Sequence, residues 1–277
     1  MNKKVYNPKN LIILGSIILI IVVLLSIFAH VISSQNPYIG ESSNRLLEPS
    51  SEHIFGTDQQ GRDVFTRVLY GGRWTLMASF FTMAITLSLG IAIGVISGYF
   101  SGTWIDILIL RIMDTLMGFP FMILAMIISA LFGRELIHLL VAVVIVKWLP
   151  FARLARSIVL KSKNEVRVLA ARVSGCSNIK IIVEELLPEI WSPCFALATF
   201  ELGDLILSIS ALSFFGLGAK PPTPEWGSML SDSKAYFFQA PYLVFGPSLF
   251  IFLTVLGLNF IGEGLRDKIT PYEVLKI

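Results

Sequence analysis

Hydrophobic residues are gathered into six long runs: Leu11–Ile32, Thr75–Tyr99, Ile107–Phe132, Leu136–Phe151, Trp191–Gly218 and Tyr242–Leu265. An α-helix rises about 1.5 Å per residue, so roughly 20 apolar residues cross the hydrocarbon core of a bilayer. The runs approach that length, and none shows the strict alternation of a barrel strand. The pattern predicts an all-α membrane protein with six transmembrane helices and no β-barrel. Leu11–Ile32 follows Lys3, Lys4 and Lys9 and so resembles a signal peptide. It is long for a signal core, however, and no small-residue cleavage site follows it, so we read it as a retained first span.

Six crossings leave both termini on one side, and basic residues choose that side. With the termini inside, thirteen Lys and Arg are internal: Lys3, Lys4, Lys9, Arg153, Arg156, Lys161, Lys163, Arg167, Arg172, Lys180, Arg266, Lys268 and Lys276. Seven are external: Arg45, Arg62, Arg67, Arg73, Arg134, Lys220 and Lys234. The asymmetry predicts cytoplasmic termini. It leaves residues 33–74 as an outer loop and residues 152–190 as the one sizeable cytoplasmic loop. The expected organisation is 1–74 for tail, first span and outer loop, then 75–277 for a five-helix core.

Composition sharpens this picture. The 277 residues are 55% hydrophobic and 15% charged, against about 45–50% apolar and about 25% charged in soluble domains. A net charge of +3 is too weak a surplus to indicate nucleic acid. Cys176 and Cys194 share no motif, and His30, His53 and His138 lie far apart, so no metal site or disulfide framework is expected. The chain carries no GxxxxGK(S/T) phosphate loop, no HExxH and no GxSxG. We assign no catalytic residue. If transport is driven by ATP, another chain must hydrolyse it.

The cytoplasmic loop carries a helical pattern, with Val166, Leu169, Ala170 and Val173 at i, i+3, i+4 and i+7. Ser162 and Glu165 have capping-box spacing at its start, and Gly175 suits a left-handed terminal position. A second short helix is expected from Ser177 to Leu187, ending before Pro188. Such a protruding element is the handle required by a permease that uses another chain's hydrolysis.

Within the spans, Gly90, Gly94 and Gly98 form a side-chain-free groove suited to close helix packing inside the chain. Arg111 and Asp114 share a helix face, and we expect them to pair. Pro120 should kink the third span or mark its true start. Glu201 and Asp204 share a face of the fifth span, followed by Ser208, Ser210 and Ser213. Two carboxylates on one membrane helix should line a water-filled path or meet cations from another helix or subunit. Lys147 lies near the inner end of the fourth span, where it can snorkel to the headgroups, and we assign it no function.

The loop resembles the EAA loop of ABC importer permeases, E-A-A-x3-G-x9-I-x-L-P. Ala170, Ala171, Gly175, Leu187 and Pro188 match at full spacing, while Leu169 replaces the usual Glu and Glu185 the usual Ile. In that family the loop is a coupling helix docking on an ATPase, which implies a coupling role for Glu165, Ala170, Ala171, Gly175, Leu187 and Pro188. Four segments resemble the dipeptide, oligopeptide and nickel branch: FGTDQQGRDVFTRVLYGGRWTL (Phe55–Leu76), RIMDTLMGFPFMILA (Arg111–Ala125), ALSFFGLGAKPPTPEWGSML (Ala211–Leu230) and LGLNFIGEGLRD (Leu256–Asp267). The chain looks like the C-type subunit of that branch.

The resemblance implies a type I ABC importer permease fold, with a cytoplasmic coupling helix between spans four and five, in a prokaryotic plasma (inner) membrane. Its implied partners are a B-type permease, two ABC ATPases and an extracytoplasmic substrate-binding protein. ATP and Mg2+ would be used by the ATPase, and this chain would bind no cofactor or metal itself. The implied mechanism is alternating access. Small peptides and nickel or metal chelates remain equal substrate options. The rival readings are an ion-coupled secondary transporter, which would usually carry an inverted repeat not visible here, and a purely structural subunit.

Overall fold

A computed structural model describes residues 7–132 and 136–269, and every described element is helical. Lys3, Lys4, Arg134 and Lys276 lie outside the described residues. The helices are α1 (Pro8–Ile27), a short α2 (Ala29–Ile32), α3 (Val64–Tyr99), α4 (Trp104–Met117), α5 (Phe121–Phe132), α6 (Leu136–Lys147), α7 (Leu149–Ser162), α8 (Val166–Val173), α9 (Asn178–Ile181), α10 (Leu187–Leu212), α11 (Trp226–Ser233) and α12 (Tyr242–Ile269). Among the described residues, five helical stretches are long and apolar enough to span a membrane, with α6–α7 and α9–α10 each counting as one; α4 and α5 qualify only as a single span bent by 92°. That bend lies at Gly118–Pro120. Pro120 has no N–H for the helix, but its carbonyl accepts from Ile123 and Leu124 and so opens α5.

Three expected boundaries move. The second span begins at Val64 instead of Thr75 because Asp63 caps it, accepting from the Thr66 N–H at 2.7 Å. Residues 64–74, expected in the outer loop, are therefore the first turns of α3. The fourth span runs on as α7 to Ser162, well past Phe151, because Ala152, Ala155 and Val159 continue to pack against α3. The short helix expected to stop before Pro188 does not stop. A π-type turn at Ile182–Leu186 absorbs the proline's missing donor, and helix continues from Asn178 through Leu212, with a kink following at Gly216 (φ +85°).

The glycines of α3 pack within the chain, as their spacing suggested. A Cβ on Gly94 would lie 2.4 Å from the Ala152 carbonyl oxygen, and those on Gly90 and Gly98 would strike Phe151 and Val159 of α7. Hydrophobic attraction between helices is weak in lipid, so this backbone-to-backbone contact is what holds α3 against α7. Arg156 of α7 reinforces it, its Nε donating to Asp106 of α4 at 3.0 Å while the Ser97 hydroxyl donates to the same carboxylate at 2.6 Å.

The packing orders the ends of the bundle. Arg73 near the start of α3 donates to the carbonyls of Ser26 and Ile27 at the end of α1. Gly264 near the end of α12 lies against Pro8 at the start of α1. Tyr99 at the end of α3 donates to Asn178 of α9 at 2.6 Å. Pro8, the end of α12, α8 and α9 therefore share one end, and residues 33–63 share the other with α11.

Replacing Gly94 by valine is expected to lower the stability of the purified protein by about 1–3 kcal/mol. Thermal unfolding in detergent would show the midpoint falling by several degrees, whereas Gly203→Ala, in helix and with no atom closer than 3.7 Å to the added Cβ, should move it less.

Candidate functional site

The protruding element is set by one cation. Arg167, on the first turn of α8, reaches Glu165 (Nε to Oε2, 3.1 Å), Glu185 (Nη1 to Oε2, 3.1 Å) and Glu189. Its Nη1 also donates to the Glu185 carbonyl at 2.5 Å. Burial pulls the guanidinium's pKa down, but the Glu165 hydrogen bond and the Glu189 and Glu185 carboxylates outweigh this and hold it above the ordinary arginine value. Glu185, which stands where the resembling loop has Ile, thus serves as an anchor across eighteen residues of sequence.

The capping box expected from Ser162 and Glu165 does not form. Ser162 closes α7 and its hydroxyl donates to Glu189, while Glu165 occupies the N-cap of α8 without a side-chain cap bond. The reason is the extension of α7, which takes up Ser162 before the turn begins.

Beneath α8, Val168 is fully buried with Ile181, Leu186 and Ile190, and Leu187 packs against the same cluster. The periodic face read from sequence points the other way: Val166 is 83% exposed and Val173 89%, with Leu169 and Ala170 also open. Ala171 is half-buried and Pro188 exposed. Gly175 ends the element at φ +78°, the left-handed conformation expected of it, with nothing within 4 Å of an added Cβ. The result is an apolar, small-residue surface held out from the bundle on a clamped base.

A second constellation lies between α6 and α10. Lys147 does not snorkel. Its ammonium contacts the Asp204 carboxylate, lies 3.9 Å from Glu201 Oε2, and sits 4.9 Å from the centre of the Phe121 ring. The acidic pair therefore meets a cation from another helix. Lys147 carried the same signal as Glu201, a charge inside an apolar run. Ser208, one turn further along α10, is buried. Asp114 pairs with Arg153 of α7 at 3.5 Å, and not with Arg111, because the lengthened α7 brings Arg153 alongside α4.

At the opposite end, two of the four singled-out segments clasp each other. Trp226 is fully buried, and its indole N–H donates to the Val68 carbonyl at 2.9 Å. Arg67 donates to the carbonyls of Pro37 and Pro222 and lies 3.4 Å from Asp58. Glu225 caps α11 through both oxygens, accepting from Gly227 and Ser228. Burial pushes its pKa up.

The comparisons with known proteins agree with one another. A family model described as binding-protein-dependent transport system inner membrane component matches residues 90–271. The dipeptide transport system permease protein DppC of Alkalihalophilus pseudofirmus is 44% identical over 268 residues, covering 97% of this chain and 88% of that protein. The glutathione transport system permease protein GsiD of Escherichia coli is 39% identical over 270 residues, covering 96% and 88%. Among solved structures, the inward-facing MetNI methionine ABC transporter matches with a TM-score of 0.54 at 21% identity, over 73% of this chain and 96% of that one. This last likeness concerns the fold.

Replacing Arg167 by methionine should leave three carboxylates facing one another and release α8 from its base. Amide hydrogen exchange over Val166–Val173 is expected to quicken by about tenfold or more, while exchange in the α3–α7 contact stays unchanged.

Proposed function

The chain belongs to the family of binding-protein-dependent transport system inner membrane components, and we propose that its protruding helix α8 is where an ATPase drives it. It is a permease subunit of an ABC importer and a multi-pass membrane protein. In our reading it forms half of a pathway with a second, B-type permease. Two ATPase chains supply ATP hydrolysis with Mg2+, and an extracytoplasmic binding protein delivers the cargo. This chain itself carries no cofactor.

One observation carries the reading: an exposed apolar face on α8, braced by Arg167 and placed at the same end as Pro8 and the end of α12. An uncovered apolar face beside small residues is a docking surface for another protein. Its base is stiff enough to transmit a push. Nucleotide can bias the permease only if its two arrangements hold α8 differently against the ATPase, so that ATP binding favours the outward-open form and hydrolysis the inward-open form. Basic residues flanking α8 favour the cytoplasm for this end, and both termini with it.

The cargo in this reading is a small peptide, since the two relatives are named for dipeptide and glutathione transport. The decisive experiment is reconstitution of the complete complex in liposomes, followed by ATP-dependent uptake of labelled dipeptide, glutathione and nickel chelate. Peptide uptake should dominate. Chelate uptake alone would reverse the cargo assignment, and uphill uptake by this chain without an ATPase would overturn the reading altogether.

Gly175→Val should uncouple the complex. A β-branched residue at φ +78° costs about 1–2 kcal/mol of local conformation, enough to move the exit of α8 without touching a packed neighbour. Peptide uptake is expected to fall by about tenfold while the protein still inserts and the complex still hydrolyses ATP. Undiminished uptake would remove α8 from the drive.

A further inference from the structure

Lys147, Glu201 and Asp204 carry one positive and two negative charges, and they sit in the middle of the bundle rather than at either end. Lys147 is the twelfth residue of the 27-residue stretch Leu136–Ser162, roughly 16 Å along it from Leu136 at 1.5 Å per residue. Asp204 is about 12 Å back from Leu212 and about 25 Å along α10 from Leu187 by the same rise. At that depth, carboxylates do not face lipid. Yet the Asp204 side chain is 58% exposed, while those of Lys147 and Glu201 are 13% and 20% exposed. The open side of this cluster must therefore meet water in the pathway or another subunit.

The arrangement separates two kinds of solute. A solute with only a negative charge can engage the cluster solely through Lys147 and leaves Asp204 unpaired in a low-dielectric setting, which costs more than the new contact returns. An ammonium group, in contrast, can take Asp204 while Lys147 falls back on Glu201, 3.9 Å away. A zwitterion brings both charges. Its ammonium can take the place of Lys147 on Asp204, with Glu201 behind it, while its carboxylate takes the released Lys147. One ion pair becomes two and no charge is orphaned. The excess carboxylate biases entry toward the ammonium end. The Phe121 ring beside Lys147 supplies an apolar wall against which the ammonium also rests favourably when the pair opens.

We infer that Lys147, Asp204 and Glu201 form a mid-pathway subsite for the paired ammonium and carboxylate groups of a zwitterionic peptide. This rests on the importer reading above.

The test is uptake by the reconstituted complex with the triple variant Lys147→Met/Glu201→Gln/Asp204→Leu, which leaves no charge of the cluster unpaired, with dipeptide as the probe. An internal ion pair of purely structural value is commonly replaceable by apolar residues of similar size. The subsite predicts instead that dipeptide uptake falls by about tenfold or more, the value of one lost charge-assisted contact, with the second permease still copurifying. Asp204→Asn alone should raise the half-saturating dipeptide concentration more than it lowers the maximal rate. Unchanged uptake by the triple variant would overturn the subsite and leave the importer reading standing. Loss of the second permease from the purified complex would also overturn it, by making the cluster an intersubunit bond. Failure of the unaltered complex to import any peptide would instead defeat the importer reading and this inference together.

Discussion

The contact between α3 and α7 along Gly90, Gly94 and Gly98 is the constraint on which the rest of this structure depends. With no hydrophobic force to bring helices together inside a membrane, two backbones touch only where side chains are missing. That contact fixes α7 lengthwise, and everything beyond it inherits the register. Arg156 reaches Asp106 and Lys163 reaches Ser101 and the Gly98 carbonyl. Tyr99 meets Asn178. The protruding element is thus tied to the end of α3 at several points, and a displacement of α8 would be felt along the full length of the bundle.

Polar groups are used differently at the three levels of the molecule. At the end with residues 33–63, Asp58, Arg62 and Arg67 are buried together and satisfied largely by one another and by loop carbonyls, a network that orders backbone unable to form helix. At the end with α8, Arg167 gathers carboxylates from two stretches of chain. In the middle, a single lysine faces two acids with an open side. The end networks close upon themselves as structural ones do, whereas the middle one leaves a carboxylate exposed where exposure is most expensive. That difference separates a brace from a place where a solute passes.

The resemblance to peptide-branch permeases and the physical reading support each other at particular residues. The segments Phe55–Leu76 and Ala211–Leu230 are far apart in sequence, yet Trp226 is buried against Val68 and Thr75, and Arg67 reaches Pro222. Their matching patterns therefore describe the two halves of one clasp. The departure at Glu185 likewise finds its reason in Arg167: a charged pair stands where the usual loop has an apolar residue.

The sequence by itself determined what depends on neighbours in the chain. The lengths of the apolar runs gave spanning helices, the four-residue glycine spacing gave a packing groove, the break at Pro120 was visible, and Gly175 announced its left-handed turn. These are properties of local backbone and of one helix face, and they survive any arrangement of the rest. What tertiary structure decided is which partner each charge finds and where a helix stops. Ser162 was absorbed into α7 because packing on α3 outweighed a local cap. Pro188 was bridged by a π-type turn because helix on both sides was already held. Lys147, Arg153 and Arg167 found carboxylates 57, 39 and 18–22 positions away. An ion pair acts over a few ångströms, and only the folded bundle sets those ångströms.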